Sequence, residues 1–91
     1  MIGNINIEQL LVLINSVDDE ASVKYSRVTG RFYVSTKILY LHEKNYCTCN
    51  EHMFTVNDAI ISFYRTIQGK DLVVDRKTRR DGVYRLPELV K

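Results

Sequence analysis

The chain has 91 residues, 45% of them hydrophobic and 26% charged, with four Gly and one Pro, which is the composition of an ordinary globular domain. Its longest uninterrupted apolar run is the five residues 10–14, too short to cross a membrane as a helix, and its length fits one domain over 1–91. Thirteen Lys and Arg against eleven Asp and Glu leave a net charge of +2, too little for the whole molecule to act as a nonspecific polycation.

Asn6 stands before apolar residues at 7, 10, 11 and 14, and Gln9 lies three residues on. This capping-box pattern predicts an amphipathic helix over 7–16. Asn15, Ser16 and the acidic trio Asp18, Asp19 and Glu20 then read as a polar turn. From Val23 the hydrophobic period becomes two, and Thr29-Gly30 offers a two-residue hairpin loop. That loop would set Arg27 opposite Phe32 and Tyr25 opposite Val34. Val23, Tyr25, Phe32 and Val34 would then share a core face, with Lys24, Ser26, Val28, Arg31, Tyr33 and Ser35 on the reverse. Residues 38–41 are apolar without alternation. A three-residue loop Glu43-Lys44-Asn45 would pair Leu41 with Cys47 and Leu39 with Cys49, completing a β-meander of three or four strands over 23–49.

Thr55 followed by Asp58 marks a second helix start. Val56, Ala59, Ile60, Phe63 and Ile67 fall on one helical face and Gly69 follows as a left-handed cap, giving a helix over 56–68. Leu72 to Asp75 reads as a strand, and Asp81-Gly82 as a turn that pairs Arg80 with Val83 in a C-terminal hairpin over 71–86. The fold class expected is α+β: an antiparallel sheet of three or four strands, two helices packed on one face, and a basic C-terminal hairpin.

Charge is unevenly spread. Residues 1–20 contain no Lys or Arg, whereas 65–91 contain eight. Arg76, Lys77, Arg79, Arg80 and Arg85 concentrate around the expected turn, a density that phosphates repay through counterion release and that Arg exploits by bidentate bonding. The alternative is a solvated loop that only keeps the chain soluble. Lys24, Arg31 and Tyr33 on the outer sheet face add cations interleaved with an aromatic ring, the combination used for backbone contact plus base stacking. Of the six tyrosines, Tyr25 and Tyr64 belong to the core or its edge, and only Tyr33 and Tyr84 read as contact residues.

His42, Cys47, Cys49 and His52 lie within eleven residues, and Cys and His are the expected ligands of zinc. The expected register, however, puts His42 on the face opposite both cysteines, which join Leu39 and Leu41 in an apolar patch. No metal is therefore assigned. No orienting group or oxyanion hole accompanies the thiols, and the glycines at 3, 30, 69 and 82 are isolated, so no phosphate-cradling loop exists. Neither catalysis nor a cofactor is expected. Two Cys in a Cys-Thr-Cys pattern supply no disulfide framework. The N-terminus carries no secretory or myristoylation signal, and a cytoplasmic location is the expectation.

The run Tyr25-Ser-Arg-Val-Thr-Gly-Arg-Phe-Tyr-Val, then Leu39-Tyr-Leu, then Phe54-Thr-Val-Asn-Asp-Ala59 and Phe63-Tyr64 resembles the apetala-type DNA-binding domain and its relatives in phage and integrases. The resemblance covers 25–67. It implies a three-stranded sheet on one helix, and use of the exposed sheet face in the major groove by Lys24, Arg31 and Tyr33. The chain departs from that pattern in having no Trp, an inserted stretch over 42–53, and a further N-terminal helix. Helix, three strands, helix is also the order of the double-stranded-RNA-binding domain, whose Lys-rich second helix start is replaced here by the acidic Thr55-Val-Asn-Asp. The function expected is a small non-catalytic binding module for nucleic acid, DNA first, using the sheet face and the basic hairpin. The alternative is a phage or mobile-element inhibitor that covers a host protein's working surface through an acidic patch on that partner. A membrane partner is not expected.

Overall fold

The computed structural model describes residues 6–75 and 83–89. In chain order they form α1 (Ile7–Val17), β1 (Ser22–Ser26), β2 (Arg31–Ser35), β3 (Ile38–His42), β4 (Asn45–Thr48), α2 (Val56–Ile67) and β5 (Leu72–Val74). The fold is α+β with antiparallel sheets. Both helices begin where their capping residues lie. The Asn6 side chain accepts from the Gln9 N–H at 3.1 Å and the Thr55 hydroxyl from the Asp58 N–H at 3.0 Å, each satisfying a donor that the first helical turn leaves free. Gly69, with φ 67°, ends α2 as the left-handed residue that a side chain would strain, and its N–H reaches the Leu86 carbonyl at 3.0 Å.

The strands depart from the expected single sheet. They form two: a ribbon of β1 and β2, and a three-stranded sheet in the order β4-β3-β5. The chain changes sheet at Thr36 and Lys37. The consecutive strands implied by the apetala-type resemblance therefore do not lie side by side in one layer. The β1–β2 register pairs Tyr25 with Phe32 and Val23 with Val34, two residues away from the expected pairing. A two-residue Thr29-Gly30 loop would require positive φ at a β-branched Thr. Instead the loop widens to 27–30 with the positive φ confined to Gly30. A shift of two preserves the sorting of faces, so Val23, Tyr25, Phe32 and Val34 do share one side. Tyr25 is nevertheless 55% exposed, resting its ring against Phe32 at 5.2 Å rather than entering the core.

In the β3–β4 hairpin the departure is a single residue, and its consequence is larger. His42 pairs with Asn45 and Tyr40 with Cys47, because the loop is Glu43-Lys44 and Glu43 itself takes φ 56°. Leu39 and Leu41 consequently face with Thr48 and Tyr46, and the thiols face with Tyr40 and His42. At the other edge, β5 pairs with β3, and Leu72 exchanges both backbone hydrogen bonds with Tyr84 at 2.8 Å. The expected Arg80–Val83 pairing involves Arg80, which lies outside the described residues.

Helix α2 packs on the β1–β2 ribbon and α1 packs on α2. Leu10, Ile14, Val34, Ile38, Ile60, Phe63, Tyr64, Ile67, Leu72, Val74 and Leu86 form one shared core. Asp18, expected in a solvated turn, is 2% exposed. Its carboxylate accepts from the Thr36 hydroxyl at 2.6 Å, the Lys37 N–H at 3.1 Å and the Glu20 N–H at 3.0 Å, clamping the end of α1 to the point where the chain leaves one sheet for the other. Among the described residues no helix is long and apolar enough to cross a membrane.

Candidate nucleic-acid interface

With Val34 in the core, the reverse of the β1–β2 ribbon is an outer face. There Lys24 stands directly across from Tyr33 and Ser26 across from Arg31. A third segment extends this face. The Phe32 N–H donates to the Met53 carbonyl at 2.7 Å and the Met53 N–H to the Phe32 carbonyl at 2.8 Å, an antiparallel bridge. Strand alternation then puts His52 beside Tyr33 and Phe54 beside Arg31. The side chains follow. The Tyr33 and His52 rings stack with centroids 4.8 Å apart and planes 17° apart, and the Arg31 guanidinium lies 4.4 Å from the centre of the Phe54 ring. The His52 Nδ1 is also 3.0 Å from the Thr29 hydroxyl in the β1–β2 loop.

The result is a grid of two rows, Lys24-Tyr33-His52 and Ser26-Arg31-Phe54, without a carboxylate at any of its six positions. Lys24 and Arg31 are exposed, Tyr33 and His52 half-buried, and Phe54 is 73% exposed. Three of these residues, Lys24, Arg31 and Tyr33, were legible as a surface from strand alternation. His52 and Phe54 were not assigned to it. The signal for them was the short alternation His52-Met53-Phe54 just before the Thr55 cap, too brief to separate from a loop by period alone.

The basic ribbon divides differently. Arg76, Lys77, Arg79 and Arg80 lie outside the described residues. Arg85 is described: it is exposed and its guanidinium is paired with the Asp71 carboxylate, which offsets part of its charge before any phosphate arrives.

The His and Cys set is redistributed. His42 shares a strand face with Cys47 and Cys49, contrary to the expected register, while His52 is engaged with Tyr33 and Thr29 on the other sheet. Among the described residues no three His, Cys, Asp or Glu side chains gather in a way that would hold a metal ion. Burial pushes the Cys49 thiol above its ordinary value. Hydrogen bonding to the Glu51 backbone and the Thr66 hydroxyl works in the other direction without overcoming it. Burial, followed by the neighbouring Cys47, Cys49 and Glu51, likewise raises the Tyr40 phenol, over whose ring the Lys70 ammonium sits at 4.8 Å. Because the thiolate is the reactive form, alkylation at neutral pH should be slower for Cys49 in a Cys47→Ser variant than for the same thiol in urea. A Cys49 that reacts at the unfolded rate would contradict its burial.

Where the sheets part, a cleft of about 150 Å³ opens beside Tyr33, walled by Ser35, Thr36, Thr48, Cys49 and Asn50. That is below the range of roughly 300–1,000 Å³ typical of small-molecule sites, and between this cleft and the extended grid, among the described residues, the grid is the better candidate for recognition. Comparison of the chain with protein-family models, with curated proteins and with solved structures gives no match.

Proposed function

We propose that this protein is a small non-catalytic module that binds nucleic acid, DNA in the first place, through the outer face of the β1–β2 ribbon. The observation that supports this reading is the grid itself. It combines two exposed cations, an exposed aromatic ring and no carboxylate on a pleated surface, so phosphate attraction and base contact are available side by side. Arg76, Lys77, Arg79 and Arg80 lie between β5 and Tyr84 in sequence and add four cations to the same chemistry.

Titration of labelled DNA and RNA across a salt series tests the proposal. Wild-type affinity should fall steeply as salt rises. Replacing Lys24 and Arg31 together by alanine should flatten the slope of log affinity against log salt by about 1.8 for duplex or about 1.4 for a single strand, at two phosphates lost. Reversing charge at Arg76, Lys77, Arg79 and Arg80 should weaken binding further with the circular dichroism spectrum unchanged. Absence of salt-dependent binding to any nucleic acid would refute the reading.

The second reading, an inhibitor that covers an acidic surface on a host protein, draws on one observation. Val28, at the turn of the ribbon, is 96% exposed, and an apolar tip contributes nothing to a phosphate. Capture of a protein partner that is lost in Val28→Asp, alongside no affinity for nucleic acid, would favour it.

A further inference from the structure

Resting on the proposed nucleic-acid reading, we infer that the ligand is a single strand, with one base stacked on the outward face of Phe54 and its neighbour on His52. The segment carrying His52 and Phe54 lies at the edge of the ribbon, bridged on its inner side to β2. Each ring is backed from within: Tyr33 stacks on His52 and the Arg31 guanidinium lies over Phe54. Phe54 is 73% exposed, so ring surface that Arg31 does not cover is accessible. Aromatic rings so held offer their faces, and a base can use a face only when it has left the helical stack.

Spacing separates single strand from duplex. His52 and Phe54 flank the bridged Met53, and residues two apart in extended chain are about 6.6–6.8 Å apart, roughly twice the 3.4 Å between successive nucleotides in one strand of B-form DNA. Adjacent bases can occupy both rings only if they are drawn apart from each other. The Arg31 guanidinium over the Phe54 ring adds its charge to the aromatic platform and keeps its in-plane N–H groups for a phosphate.

The test uses the full chain and labelled oligo-dT, oligo-rU and a hairpin duplex of equal length. Either single strand should bind about tenfold or more tightly than the duplex. Phe54→Ala should lower single-strand affinity about tenfold or more while thermal unfolding is unchanged, since the ring is largely exposed. The chain contains no Trp, so Phe54→Trp supplies a unique fluorophore whose emission should be quenched on adding oligo-dT or oligo-rU. Duplex binding as tight as single-strand binding, full affinity in Phe54→Ala, or an unquenched Trp in a binding-competent protein would each overturn this inference and leave the proposed function standing. Failure of the wild type to bind any of the three would overturn both.

Discussion

Replacing Tyr64 by alanine should destabilise the protein by about 4 kcal/mol, the range found when a large buried aromatic is truncated. Tyr64 is fully buried on α2, within the cluster that joins α1, β2, β3, β5 and Leu86, so truncating it opens a cavity in the shared core. Its hydroxyl donates to the Pro87 carbonyl at 2.5 Å, tying the C-terminal segment to the helix. Tyr64→Phe isolates that bond. It should lose only about 1 kcal/mol, because Pro87 is exposed and water can take the donor's place. Burial also raises the phenol above its ordinary value. Since the unfolded phenol ionises near pH 10 and the folded one later, the unfolded state sheds its proton first, and stability must fall as pH climbs above 10. Tyr64→Phe removes that part of the alkaline loss. Urea unfolding of the three proteins at neutral pH and above pH 10 measures both effects, and equal midpoints for Tyr64→Ala and wild type would refute the placement of this ring.

What could be read in advance follows from how locally each feature is encoded. Helix starts depend on one side chain and an N–H three residues away, and Asn6 with Gln9 and Thr55 with Asp58 occur as the pattern requires. Strand faces depend only on parity, so Val23 and Val34 were sorted correctly although the pairing itself differs by two. Register is less forgiving. A three-residue loop is the expectation for the β3–β4 hairpin, whose turn contains no Gly. Glu43 adopts positive φ without one, and that single residue exchanges the neighbours of both cysteines. The division into two sheets had no local mark at all, since Ser35-Thr36-Lys37 suits a bend or a continuous strand equally.

The candidate interface shows the same division. Lys24, Arg31 and Tyr33 follow from alternation within a hairpin, but His52 and Phe54 join them only through the bridge between Phe32 and Met53, a contact across twenty intervening positions in the chain. His52 drew notice as one of four potential zinc ligands. Its ring instead stacks on Tyr33, and its Nδ1 meets the Thr29 hydroxyl. Composition alone gives no means of choosing between a ligand and a stacked, hydrogen-bonded imidazole, because both need His near other polar groups.

Asp18 carries the second large expectation: Asp18→Ala should cost about 3 kcal/mol. Three consecutive acids look like a solvated turn, yet the first of them is buried and receives three donors from two separate stretches of chain. Alanine would leave the Thr36 hydroxyl and the Lys37 N–H part-buried without their acceptor, and loss of an acceptor beneath a buried donor is more expensive than the net value of the bond. Asp18→Asn should fall between alanine and wild type. Its amide oxygen can serve Thr36 and Lys37, but its NH₂ then meets the Glu20 N–H, donor against donor. A double-mutant cycle of Asp18→Ala with Thr36→Ala should show coupling of at least about 0.5 kcal/mol, because the second substitution removes one of the donors that the first strands. At about 4–8 °C per kcal/mol for a domain of this size, Asp18→Ala should lower the melting temperature by more than 10 °C. Melting within 2–3 °C of wild type would mean that this carboxylate does not fasten α1 to the junction of the two sheets.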